Sequence, residues 1–422
     1  MKEQSYITVI PAREEDITPG AIMERLSATG GRIRSGGVKF ETYDERDFLR
    51  VLIYVDEREY DIFLTVLEYE IPDFFRTEHF FSDLDFEKIS QIHYGLEVTM
   101  EYTEDFMTCY HDQLRIMDYL VPEQLAAIDI PSEKIISGKW VKLAAESEVP
   151  PSPKYLFTVQ AIADDGDEVW LHTHGLKRCG LPDLEILGST RDSYENHYNI
   201  IESMAKRLLD GDSDLQPYEP VFLARMTEEI PMVATIVDWK EALPFYPDVK
   251  MGTAEDRDEY HSEGTSVIMV YKSQSDCDNK KVSPVQIMDP YFDGNPMFMI
   301  STPETNRMRA LAQERIDYVK AAVWSEDPDT GILMKIGLTL DEEFRNPNED
   351  LSTQREHIWF EVKAVERTDE GDVFVCELTQ EPYYVKAMTV GSIGRYTVED
   401  VTDWLIFADG RRYSPDDAYL MK

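Results

Sequence analysis

Three β signals near the C-terminus constrain this chain more than any other feature. They read REHIWFEVKAV (355–365), VFVCELTQEPYYV (373–385) and VEDVTDWLIF (398–407). Each run is rich in β-branched and aromatic residues, and polar turn residues separate them. Paired runs of this kind predict an antiparallel sheet. Just upstream, Met308, Ala312, Ile316, Val319 and Val323 recur at helical spacing. The last quarter of the chain therefore reads as a small sheet packed by a helix.

The same grammar runs through the rest of the chain. YITVI (6–10) is a strand, and Thr18 before Pro19 is an N-cap signature for the helix that follows. VKFETY (38–43), FLRVLIYVD (48–56) and GLEVTMEYT (95–103) are further strands, and a ferredoxin-like N-terminal domain is the natural expectation. YLFTVQAIADDGDEVWLHTHG (155–175) reads as a hairpin around an acidic turn. The expected fold class is α+β, with several small, mostly antiparallel sheets, each packed by one or two helices. Four units are expected: an α+β domain over 1–103, an α+β unit with a central hairpin over 104–215, a strand-rich unit over 216–300, and a C-terminal α+β domain over 301–422.

Charge narrows the function classes. The 422 residues carry 83 acids against 42 bases, a formal net charge of −41. The acids are dispersed between apolar runs, as on a solvated surface. Nucleic-acid binding needs a cationic footprint, and none is visible. A basic protein partner fits the charge better. The four cysteines, Cys109, Cys179, Cys277 and Cys376, form no CxxC pair. That argues for reduced thiols and a cytoplasmic protein. No apolar run approaches membrane-spanning length, so no membrane association is expected.

Residues from about 303 to 415 resemble the YegJ-like family, a bacterial domain of unknown function. The resemblance is carried by Met308 and Ala312 on the helix, by Glu356-His357-Ile358-Trp359, by the segment from Pro382 to Val385, by Gly391 and by Asp403-Trp404. Glu381-Pro382 stands where the family often has Asn-Pro. The first two-thirds of the chain is similar to an uncharacterised bacterial region that precedes such a domain. The resemblance implies no reaction, cofactor or ligand.

Two clusters carry candidate chemistry. In the strand from His357 to Lys363, parity puts Ile358, Phe360 and Val362 on one face and His357, Trp359 and Glu361 on the other. Trp359 either stacks a ligand in a groove, with His357 and Glu361 as polar contacts, or packs against a neighbouring element. Asp403 and Trp404 either rim the same groove or serve as a turn cap and a core residue. The second cluster is His172-Thr173-His174, two imidazoles on one strand face. They could ligate a transition metal, with Cys179, Asp183 or Glu185 as third ligand, or simply end a strand. Lys177-Arg178 beside them could meet an anion.

There is no GxGxxG, GxxxxGK[ST], HExxH or GxSxG motif. No cofactor is therefore expected. The reading that follows is an acidic cytosolic binding or interaction protein with a protective or regulatory role. The alternative is a hydrolase-like enzyme with a cleft around His357, Glu361 and Asp403.

Overall fold

The computed structural model describes the chain apart from residues 1–2, 29–30, 44–45, 78–80, 212–214, 226–230, 293–296, 299–301, 349, 352, 370 and 422. The chain divides into two units, Met1–Glu146 with Pro150–Ser301, and Ser147–Val149 with Thr302–Lys422.

The first unit holds two seven-stranded sheets. The first sheet begins with β1 (Ser5–Pro11), α1 (Pro19–Ser27), β2 (Ile33–Tyr43), β3 (Arg46–Val55) and β4 (Arg58–Glu68). It continues through α2 (Asp73–Thr77), α3 (Phe86–Ile89), β5 (Tyr94–Met100), α4 (Phe106–Leu120), β6 (Gln124–Asp129), β7 (Lys134–Ser137) and α5 (Gly138–Glu146). The Thr18 hydroxyl accepts the Ala21 N–H at 3.4 Å, capping α1 as its sequence predicts. The strand order is 2-3-4-5-1-6-7 and every neighbouring pair is antiparallel. The ferredoxin-like expectation gives way to this larger sheet, because β2, β3, β4 and β5 follow one another as a meander rather than interleaving as two helix-crossed βαβ units.

Register shows how the first sheet is built. Leu64, Val98 and Ile7 stand opposite one another across β4, β5 and β1, all buried. The same row continues to Asp129 on β6 and Lys134 on β7, both fully buried. An apolar row thus ends on two ionisable groups, which must find partners inside the protein.

The second sheet contains β8 (Thr158–Ala163), β9 (Glu168–His174), β10 (Asp183–Thr190), α6 (Tyr194–Leu209), β11 (Val221–Arg225) and β12 (Pro231–Asp238). Next come α7 (Trp239–Ala242), α8 (Glu259–Ser262), β13 (Thr265–Tyr271), α9 (Gln274–Asp278), α10 (Asp289–Phe292) and β14 (Met297–Phe298). The order is 14-11-12-13-10-9-8, antiparallel except for the parallel pair β10 and β13. Helix α6 packs on β8, β9 and β10. The sheets run across the boundaries expected at residues 103 and 215: β6 and β7 complete the first sheet, and β11 to β14 extend the second.

The second unit opens with α11 (Thr302–Glu314) and α12 (Ile316–Trp324). Its strands are β15 (Gly331–Thr339), β16 (Arg355–Thr368), β17 (Gly371–Leu378), β18 (Ile393–Tyr396), β19 (Val401–Ala408) and β20 (Arg411–Tyr413). They form one antiparallel sheet in the order 18-17-16-15-19-20. The three C-terminal β signals are β16, β17 and β19. Their inward residues, including Ile358, Phe360, Phe374, Cys376 and Trp404, are buried.

Candidate metal centre

Strand β9 alternates, so Trp170, His172 and His174 share one face. A residue far along the chain completes the group: His261 of α8 packs over the same face. The His172 ring centroid lies 4.9 Å from that of His174 and 4.7 Å from that of His261. One ring nitrogen from each of the three lies within 4.8 Å of the other two, and all three side chains are buried.

The hydrogen bonding of these rings is unusual. His261 Nδ1 lies 2.8 Å from Asp258 Oδ1, while its Nε2 has no partner. His174 Nε2 faces Glu133 Oε2 at 3.6 Å, while its Nδ1 has none. Neither nitrogen of His172 has a partner. Buried polar atoms are nearly always satisfied, so four orphaned ring nitrogens in one cluster require an explanation. Burial, reinforced by the neighbouring His174 and His261, pushes His172 well below its ordinary pKa. Burial also carries His174 down to about 3. Both rings are therefore neutral, the form that ligates metal.

Three imidazoles fit a divalent transition-metal ion. Zinc holds histidine nitrogens at about 2.0–2.1 Å in a tetrahedron, which places ligand atoms about 3.3 Å apart. The three ring nitrogens lie within 4.8 Å of one another, somewhat wider than that spacing. His261 Nδ1 and His174 Nε2 already face carboxylates, the arrangement by which metal-ligating histidines are oriented.

The other residues expected near this site have different work. Asp183, fully buried, accepts from Thr173 Oγ1 at 2.9 Å, Leu176 N at 3.2 Å and Tyr260 OH at 2.6 Å. Burial pushes its carboxyl up to about 6. Glu185 stands opposite His172 in the ladder, but both its oxygens are taken by Arg257, at 2.5 and 2.6 Å. Cys179 is buried and outside the cluster. Lys177 Nζ donates to the Tyr260 carbonyl and lies over the Tyr260 ring. The anion expected near Arg178 is internal: Asp129 receives both guanidinium prongs, at 2.7 and 2.9 Å.

The C-terminal candidates do not converge. His357 is exposed, and its Nδ1 lies 3.2 Å from Thr402 Oγ1. Glu361 pairs with Lys363 at 2.8 Å. Asp403 accepts the N–H of its own neighbour Trp404 at 2.8 Å. Among the described residues, these three make no contact with one another. Trp404 is a core residue, fully buried, with its Nε1 donating to Ala312 O at 3.1 Å. Trp359 is half-buried, in one cross-strand row with Lys335 and Asp403. Lys335 Nζ lies 5.5 Å from its ring centroid.

A Ser-His-Asp constellation also occurs under α6. Ser189 Oγ lies 2.7 Å from His197 Nδ1, and His197 Nε2 lies 3.1 Å from Asp289 Oδ1. Ser189 and His197 are both fully buried. This network docks the helix and offers no accessible nucleophile.

The sequence pointed to His172 and His174 but missed His261. The available signal was local: Asp258 stands three residues before His261, as a helix-capping aspartate does, and its side chain accepts the His261 N–H at 2.9 Å.

Mostly antiparallel sheets packed by helices, with a buried three-histidine cluster, define an α+β protein with a candidate metal centre. The chain belongs to the DUF4026 family: it matches the models described as protein of unknown function (DUF4026) N-terminal, over residues 5–151, and C-terminal, over residues 159–269. All three histidines fall within the second match. No curated protein and no solved structure matches the chain.

Proposed function

We propose that this protein is a metal-dependent binding protein. In this reading its first unit holds one divalent transition-metal ion, zinc by default, through His172, His174 and His261. One observation carries the reading: four ring nitrogens of these clustered histidines lack hydrogen-bond partners, while His261 Nδ1 and His174 Nε2 each face a carboxylate. Three protein nitrogens leave a coordination position for water or an exogenous ligand. A cytoplasmic setting and a basic protein partner remain part of the proposal, supported by four free, buried cysteines and the strong acidity. The YegJ-like reading of residues 303–415 also stands as a proposal, supported by the residues quoted above. The test is elemental analysis and calorimetric titration of the chelator-treated protein with Zn²⁺, Ni²⁺ and Co²⁺. One ion per chain, lost in His174→Ala and His261→Ala, is expected. Absence of stoichiometric binding by any of the three ions would overturn the proposal.

A further inference from the structure

His172 and His174 belong to a sheet strand, but His261 belongs to the connection between β12 and β13. That connection contains α7 and α8, four residues each. Helices so short have no stability of their own. Side chains hold the connection on the sheet. Arg257 binds Glu185, Tyr260 OH donates to Asp183, and the Lys250 and Met251 N–H groups donate to Glu168. Gly252 seats the chain against Trp170 and Leu187 at φ +73°, where an added Cβ would stand 2.6 Å from Leu187 Cδ2. The same connection supplies one wall of a cleft of about 790 Å³: Glu259, Tyr260 and Glu263 line it together with Tyr6, Ile130 and Glu133.

We infer that the ion held by the three histidines is a further tie that, beside these side-chain bonds, locks residues 250–264 on the second sheet, so that metal supply tightens the order of this segment and the shape of the cleft. This rests on the metal reading above. The driving imbalance lies in the ring nitrogens. In the metal-free protein, docking α8 onto β9 buries polar atoms that gain no partner and lose their water. With the ion bound, the same atoms become ligands from two separate parts of the chain, and docking and coordination become one event. Glu133 and Tyr260 join the cleft to the centre directly. Glu133 faces His174 Nε2, and the Tyr260 ring stacks on His174 with centroids 4.9 Å apart.

The experiment is hydrogen exchange, read by mass spectrometry, on the full chain after chelator treatment and again with one equivalent of Zn²⁺. Amides in 250–264 should slow about tenfold or more on adding zinc, while those in β2 to β4 stay unchanged. His172→Phe, nearly isosteric and free of orphan nitrogens, should abolish the difference. Should that variant fail to fold, chelator removal and zinc re-addition on the wild type provide the same comparison. Calorimetry on the same samples separates the two readings. Stoichiometric zinc binding with unchanged exchange in 250–264, or with equal slowing throughout the unit, overturns this inference alone. No zinc binding overturns the metal reading, and this inference with it.

Discussion

Asp258 holds His261 twice with a single oxygen: its Oδ1 accepts the backbone N–H at 2.9 Å and lies 2.8 Å from the ring Nδ1. The first contact starts α8 as a helix cap. The second occupies Nδ1 and leaves Nε2 without a partner. One side chain thus sets both where the helix begins and which ring nitrogen is free.

Removing that carboxylate should weaken metal binding by about 10–100-fold, the usual cost of losing the group that orients a ligating histidine. Asp258→Ala also loses the cap, which costs about 1 kcal/mol. Asp258→Ser keeps the cap and discards the carboxylate. Both variants should therefore show the same rise in Kd by competition with a zinc-binding dye, with one ion still bound per chain. Normal affinity in the serine variant would show that the ring contact has no role in the metal centre.

His172→Phe separates a metal centre from an ordinary aromatic core. Neither nitrogen of His172 has a partner, and it sits among Trp170, His174 and His261. Burying an unpaired polar group costs about 1–3 kcal/mol, so phenylalanine should raise the Tm of the metal-free protein. It should also eliminate the rise in Tm that the wild type shows with zinc. Calorimetric scans with and without zinc check both halves. A variant that keeps the zinc-dependent rise would exclude His172 from the centre.

Much of this fold is legible in the sequence because its signals are local. Thr18-Pro19 marks the start of α1, and the alternation in 357–363 assigns Ile358 and Phe360 to the core. Sheet assembly was not legible, because β1 joins β5 and β6 through pairings between segments far apart in the chain. The candidate metal centre was only partly legible for the same reason. His172 and His174 share a strand face, but His261 reaches them only through the docking of a distant four-residue helix. Cys179, Asp183 and Glu185 were nearer in sequence, yet the two carboxylates are held by Tyr260 and Arg257. Trp359 is an aromatic residue on a polar face, whereas the fully buried tryptophan of that sheet is Trp404. Trp404→Phe, which leaves a small cavity and an unpaired Ala312 carbonyl, should accordingly cost more stability than Trp359→Phe.

The buried pair of Arg178 and Asp129 should show the asymmetry of interior charges. Both side chains are fully buried, and Arg178 also donates to Leu156 O at 2.7 Å. Asp129→Ala leaves the guanidinium without its counter-charge, and a loss of about 3–5 kcal/mol is expected in urea unfolding. Replacing both, as Asp129→Leu with Arg178→Met, should recover a substantial part of that loss. A double variant as unstable as the single one would mean that the pair's hydrogen bonds, rather than its charges, hold this region.

Lys134 should make stability depend on pH between about 7 and 10.5. It is fully buried, its Nζ donates to the carbonyls of Tyr155 and Phe157, and burial carries its pKa from 10.5 down to about 7. Asp129 opposes that shift and Arg178 adds to it. Between the folded and unfolded values the unfolded chain binds a proton that the folded chain does not. Stability must then rise with pH from about 7 toward 10.5, and fall again as pH drops back to 7. One proton corresponds to about 1.4 kcal/mol per pH unit at the steepest part. Lys134→Met removes the proton but leaves the cysteines and tyrosines that titrate in the same range. The difference in unfolding free energy between wild type and variant, measured in urea at pH 7.5, 8.5 and 9.5, should therefore grow in favour of the wild type at about that slope. A difference that stays flat would mean that Lys134 remains charged inside the fold, with Asp129 as its effective counter-ion.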